Sequence, residues 1–290
     1  MGKALAEAFP AARLVFEEAD DALGFPLSRL CFEGPEDQLK LTENTQPALL
    51  TVSVAALAVL QEKGLVPDFV AGHSLGEYAA LVAAGSLRFA DAVKLVRHRG
   101  HYMQEAVPAG IGAMAAILKL PEGKLDAVLE QAAQGEVVSA ANLNTPEQVV
   151  IAGHAGAVNR AIELAKAAGA RRGVLLPVSA PFHCALMKPA QERLRADLDA
   201  TEFRDLIVPL VNNWQAAEVR LGAEAREGLH QQVPNPVRWV ASVRFLAAQG
   251  VARCVEVGAG GVLAGLLRGI DPSLAGQRFG EPAELQAIQN

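Results

Sequence analysis

"VAGHSLGEYAALVAAG", Val70–Gly85, decides how this chain is read. A short apolar run leads into Gly72-His73-Ser74-Leu75-Gly76, and a helix-patterned segment follows from Leu75. A G-x-S-x-G pentapeptide between strand and helix puts the serine on a sharp turn. There the helix's free N–H groups and positive dipole end face the hydroxyl. Small residues two before and two after the serine are expected to relieve crowding against strand and helix. Such a turn suits a nucleophile whose tetrahedral oxyanion needs N–H donors. The same five residues also fit a glycine-rich turn with a capping serine, and the rest of the chain has to separate the two readings.

Working outward, apolar helical stretches alternate with short β-rich runs, which predicts an α/β architecture. Residues Met1–Asp20 read as one amphipathic helix. Asn44–Gly64 reads as a helix apolar nearly all round, hence buried. "PDFVAGHS" is a strand running into Ser74, and Phe89–Val107 is another helix. Between about Pro108 and Ser179 the texture changes to β-α-β-β-α-β, the order of a ferredoxin-like α+β unit. Beyond it come a helix, "IVPLVNN" as a strand, a second helix and "RCVEVG" as a late strand. The expected organisation is therefore a discontinuous α/β core, 1–108 and 180–290, with 109–179 inserted as the small subdomain.

With 290 residues the chain is long enough for a sizeable core, and its formal net charge of −6 argues against general nucleic-acid binding. Cys31, Cys184 and Cys254 are widely spaced, with no C-x-x-C pair, so neither a disulfide framework nor a zinc site is expected. No apolar run reaches the roughly eighteen residues a membrane span needs, and the start lacks a signal-peptide layout. These features predict a cytoplasmic protein without nucleic-acid or membrane partners.

A serine nucleophile needs a general base, and histidine is the usual one. Besides His73 there are five: His98 and His101 on a charged helix face, His154 after a strand, His230 in a polar segment, and His183. His183 lies in "PVSAPFHCALM", a strand-to-helix loop where Pro181 and Phe182 can shape a pocket. On residue type and placement it is either the base or a partly buried loop histidine. The glycine-rich "EVGAGGVLAGLL", Glu256–Leu267, lacks the G-x-G-x-x-G spacing and reads as a structural turn.

"GHSLGEYAALVAAG", "RHRGHYMQEAVPAGIGAMAAI", "NTPEQVVIAGH", "PVSAPFHCALMKPA" and "NPVRW" together resemble, in order and spacing, the malonyl-CoA:acyl carrier protein transacylases of bacterial fatty-acid synthesis. The resemblance covers nearly the whole chain. It implies a hydrolase-like α/β core with a parallel sheet and a ferredoxin-like insertion. It also implies malonyl transfer through a malonyl-serine intermediate, with malonyl-CoA as substrate, acyl carrier protein as partner and no cofactor. Carried over by position, Ser74 is the nucleophile and His183 the base. Arg99 binds the malonyl carboxylate, Leu75 gives a backbone oxyanion N–H, and the carbonyl of Gln232 orients His183. Asn142 and Asn144 match polar positions near the substrate. A guanidinium suits a carboxylate because it can donate two parallel hydrogen bonds. Among surface cations, Arg97, Lys188 and Arg193 are candidates to meet an acidic carrier.

The resemblance departs at the start. Family members carry a strand and loop reading roughly "FPGQGSQ", whose glutamine N–H is a second oxyanion donor, whereas this chain opens at "MGKAL". The expectation is a chain short of one core strand and one donor, and so poorly soluble or nearly inactive as written. Two other readings stay open: a serine hydrolase or thioesterase with the same elbow, and a non-catalytic homologue.

Overall fold

The N-terminal segment is two helices, not one: α1 (Lys3–Ala8) and α2 (Pro10–Leu23) meet at Phe9, whose backbone is extended at φ −130°. Pro10 explains the break, since it has no N–H for the preceding turn and its fixed φ suits a first helical position. Then follow α3 (Leu27–Glu33), α4 (Glu36–Leu39) and the long α5 (Thr42–Glu62). This computed structural model describes every residue except Ala109, Ser179 and Asn290. The edges expected for the inserted subdomain, 109 and 179, lie outside the described residues.

Buried Leu50, Val52, Ala55, Ala56, Val59 and Leu60 make α5 the axis of the main core. Each large apolar side chain so buried contributes about 1.5–3 kcal/mol relative to exposure. After β1 (Val70–Ala71) and α6 (Gly76–Ala83), helix α7 (Phe89–Glu105) packs against α5. The approach is closest at Gly100, where a Cβ would lie 2.6 Å from the Thr42 carbonyl oxygen. Any larger residue would push the helices apart, and with them the neighbouring Arg99 and Gln46.

The middle of the chain follows the expected order: β2 (Gly112–Leu118), α8 (Leu125–Ala133), β3 (Val138–Thr145), β4 (Gln148–His154), α9 (Ala155–Ala167) and β5 (Arg172–Leu175). The four strands form one antiparallel sheet in the order β3-β4-β2-β5. Alternate residues, such as Ala115, Ile117 and Ile151, bury against Val158, Ala161 and Ile162 of α9.

The last third comprises α10 (Lys188–Ala200), β6 (Leu210–Val211), β7 (Glu218–Val219), α11 (Gly222–Gln232), α12 (Trp239–Ala248), β8 (Arg253–Val257), α13 (Val262–Ile270), β9 (Ala275–Phe279) and α14 (Leu285–Gln289). Strand β1 runs parallel to β6, β6 antiparallel to β7, and β8 parallel to β9 in a separate pair. The α/β class holds, and among the described residues the strands outside the small sheet form a three-stranded mixed sheet and a separate parallel pair. Strand β1 is short because the chain leaves it at Gly72, where a Cβ would sit 2.0 Å from the Gly76 carbonyl carbon. The small sheet joins this half through Val237, which donates to the Ala141 carbonyl and accepts from the Leu143 N–H, both at 2.9 Å.

Candidate active site

Two residues here have backbone angles that side-chain-bearing residues rarely adopt: Ser74 at φ 52° and His183 at φ 58°. Conformations of this kind cost on the order of 1–3 kcal/mol each and persist only where the surroundings enforce them. At Ser74 the enforcing residue is Asn213, at the end of β6. Its Oδ1 accepts the Ser74 N–H at 2.6 Å and its Nδ2 donates to the Gly72 carbonyl at 2.6 Å. One amide side chain thus clamps both sides of the elbow. Crowding is one-sided, however. Gly72 has no room for a Cβ, whereas a Cβ at Gly76 would meet nothing within 4 Å. The expectation that both flanking glycines relieve crowding is corrected to Gly72 alone.

The elbow presents Ser74 to His183, whose Nε2 lies 2.7 Å from Ser74 Oγ. His183 Nδ1 lies 3.0 Å from the Gln232 carbonyl. A carbonyl can only accept, so Nδ1 carries the proton and Nε2 is left to accept one from serine. Burial, reinforced by the positive charge of Arg99, pushes His183 down to about 3, so the imidazole is neutral. A neutral imidazole, fixed in tautomer and touching a hydroxyl, can take the hydroxyl's proton.

Arg99, on the buried face of α7, completes the constellation. Its Nη1 donates to Gln46 Oε1 at 2.6 Å, and its Nη2 to Ser74 Oγ and Gln232 Oε1, both at 3.0 Å. Its buried Nε has no partner, and among the described residues no carboxylate reaches salt-bridge distance. Gln232 ties the parts together, its Nε2 donating to the Ser74 carbonyl at 3.0 Å and to Glu77 Oε2 at 2.9 Å. Glu77, in the first turn of α6, also accepts the Asn213 N–H at 2.9 Å. Burial raises Glu77 to about 7 against the opposing pull of those two hydrogen bonds and Arg99.

All five residues singled out from sequence meet here. Ser74, His183, Arg99 and Gln232 are in direct contact, and Leu75 is the N-cap of α6. Around it the Ser74 N–H donates to Asn213 Oδ1, and the N–H groups of Gly76, Glu77 and Tyr78 donate to the carbonyls of His73, Ser74 and Leu75. His73 Nε2 is 2.9 Å from Asn144 Oδ1, linking the elbow to β3, while Asn142 is buried and bridged to Val237. The other histidines lie elsewhere. His98 and His101 pair with Asp197 and Glu43, His154 accepts the Val137 N–H, and His230 faces Glu227. Arg193 is engaged by Glu105 and stacked on Tyr102, and Arg97 sits over Phe25.

Sequence reasoning missed Asn213, Gln46 and Glu77. For Glu77 a signal existed, since it stands directly between the G-x-S-x-G pentapeptide and the apolar "YAALVA", although an acidic residue in a first helical turn is also ordinary. Asn213 and Gln46 are ordinary polar residues in ordinary segments and gave none.

The acyl transferase domain model matches residues 1–270, which places the chain among the acyltransferases. The malonyl CoA-acyl carrier protein transacylase of Escherichia coli K12 is 49% identical over 284 residues, covering 98% of this chain and 92% of that protein. Among solved structures, an acyl carrier protein S-malonyltransferase from Vibrio cholerae superposes with a TM-score of 0.97 at 46% identity, covering 99% of this chain and 94% of that one. A malonyl-transacylase solved with a type II PKS acyl-carrier protein gives 0.96 at 46% identity, with the same coverage. The chain belongs to the malonyl-CoA:acyl carrier protein transacylase family of acyl transferases.

Proposed function

We propose that this protein transfers malonyl from malonyl-CoA to the phosphopantetheine thiol of an acyl carrier protein through a malonyl ester on Ser74. The observation that carries the reading is Ser74 Oγ held between a neutral histidine at 2.7 Å and a buried arginine at 3.0 Å. His183 takes the Ser74 proton as Oγ attacks the thioester carbonyl. The Leu75 N–H stabilises the oxyanion, and the tetrahedral intermediate collapses with loss of the CoA thiolate, which receives the proton. In the second half-reaction His183 deprotonates the incoming carrier thiol, which displaces the acyl group and returns the proton to Ser74. Arg99 turns from Ser74 and Gln232 to the distal carboxylate, the feature that distinguishes malonyl from acetyl. The Gln232 carbonyl keeps His183 in its working tautomer.

Nucleophile, base and charge stabilisation all come from the chain, so the reading needs no cofactor. Among the described residues no His/Cys/Asp/Glu group could hold a metal, and no helix is long and apolar enough to cross a membrane. Three free cysteines fit a reducing, cytoplasmic setting. We also read residues 1–108 with 180–290 as a hydrolase-like core and 109–179 as a ferredoxin-like subdomain. Intact-mass spectrometry after brief exposure to malonyl-CoA tests the reading. One malonyl adduct per chain is expected, mapping to Ser74 and absent from Ser74→Ala. An unmodified wild-type chain would overturn it.

A further inference from the structure

Arg99 is a buried cation, and among the described residues the carboxylate whose charge acts on it, Glu77, is one it does not hydrogen-bond. Gln232 stands between them, accepting from Arg99 Nη2 at 3.0 Å and donating to Glu77 Oε2 at 2.9 Å. Glu77 is fully buried, and its second oxygen, Oε1, has no hydrogen-bond partner. The titratable groups facing it are Arg99 from α7 and Tyr78 from α6. From the turn after β6 and from α11 it meets the neutral Asn213 and Gln232. The charge of Arg99, and after it that of His73, acts on His183.

A carboxylate in this place acts on whatever binds Arg99. When it is ionised, its charge lowers the positive potential that an incoming carboxylate meets. When it is protonated on Oε1, the guanidinium is left free for that incoming group. Resting on the malonyl-transfer reading above, we propose that Glu77 is a specificity-determining residue, the counter-charge that tunes how strongly Arg99 selects a carboxylate-bearing acyl group. Binding of such an acyl group raises the protonated share of Glu77, drawing a fraction of a proton from solvent to form the O–H bond at Oε1. An acyl group without a carboxylate leaves it unchanged.

The sign follows from linkage. A second anion near Glu77 raises its proton affinity, so carboxylate-bearing substrates bind better below its midpoint near 7 than above it. The malonyl carboxylate is ionised throughout this window and contributes no trend of its own. Taking the ratio of malonyl to acetyl cancels the ionisation of Ser74, His183 and the shared CoA moiety.

The experiment measures kcat/KM for Ser74 loading from malonyl-CoA and from acetyl-CoA between about pH 5.5 and pH 9. The malonyl-to-acetyl ratio is expected to fall roughly three- to tenfold with rising pH, the effect of a pKa displaced by half a unit to one unit. In E77Q, which keeps an acceptor for Asn213 and Gln232, the ratio should be flat and stay at its low-pH value. Calorimetric titration of malonyl-CoA into S74A, in two buffers of different ionisation enthalpy, should show proton uptake near neutral pH, and acetyl-CoA none. These wild-type-background readouts decide the matter even should E77Q not fold. Normal malonyl-serine formation with a pH-independent ratio, or a trend that survives in E77Q, overturns the Glu77 assignment and leaves the transfer reading intact. Failure of Ser74 to acquire any acyl group overturns both.

Discussion

The serine elbow and the four-stranded sheet are built on opposite principles. In the sheet, β2 and β4 pair residue for residue from Gly112↔His154 to Leu118↔Gln148, and the backbone ladder specifies the geometry. At the elbow the strands are two residues long and the backbone is strained at Ser74 and His183. There the geometry is specified by buried side chains: Asn213, Gln232, Glu77 and Gln46. A ladder repeats one interaction many times, so losing one member costs little beyond stability. The elbow uses each interaction once, so losing one misplaces a reacting atom. Substitutions at the site should therefore change chemistry, and substitutions in the sheet should change only stability.

The largest expected effect is at the base. His183→Ala should slow both acyl loading and transfer to the carrier by about 10²–10⁴-fold, because one imidazole serves both half-reactions. The wild type carries a pH signature of the same residue. Burial and Arg99 hold His183 down to about 3, so the base is neutral at every pH above that. Lowering the pH from 8 to about 5 should not slow acetyl loading, although an ordinary histidine would be largely protonated by then. A midpoint near 6.5 in that profile would show that His183 is solvated in solution, and the contrast between strained site and regular sheet would weaken.

Next comes the clamp. Arg99→Ala should reduce loading from malonyl-CoA more than from acetyl-CoA. A charge-assisted hydrogen-bonded pair is worth about 1.5–3 kcal/mol, so the selectivity loss should be roughly ten- to a hundredfold. The readout is the ratio of the two kcat/KM values. Equal losses with both substrates would make Arg99 a support for Ser74 Oγ instead of a carboxylate ligand.

This division also explains what could be read from sequence. The sheet and its helices follow period-2 and period-3.6 patterns, and each element from Gly112 to Leu175 was legible as such. The elbow was legible as a motif because Gly72 and Ser74 stand at fixed spacing; His183 was legible as one of two readings of its loop, and Arg99 and Gln232 by resemblance alone. Asn213 lies 139 residues from Ser74, and its side-chain amide completes a turn that no local pattern encodes. Nor could periodicity show that β1 shrinks to two residues, since "PDFVAGHS" is apolar well beyond the part that pairs. The break between α1 and α2 at Pro10 was there to be read, and the continuous amphipathic stripe hid it.

The smallest effect is the sharpest check on the comparison. Ile151 is fully buried in β4, opposite Ala115 of β2 and Ala140 of β3, and packs in the cluster that includes Val158 and Ile162 of α9. Ile151→Val removes one methyl group and should cost about 0.5–1.5 kcal/mol, seen as an earlier denaturation midpoint with an unchanged slope. No side chain of that cluster belongs to the Ser74, His183 and Arg99 network, and the ladder on either side keeps its hydrogen bonds. Loading rate and malonyl-to-acetyl ratio should therefore match the wild type under conditions where both proteins are folded. Strain in the sheet could reach the elbow through β3, by Asn144 to His73 and by Val237 to the segment before α12, or through Val150 and Ala152 of β4, which pack with Cys184 beside His183. A change in the ratio in Ile151→Val would show that these contacts are stiff enough to transmit the loss of a single methyl group. The sheet would then belong to the site's positioning machinery instead of standing apart from it.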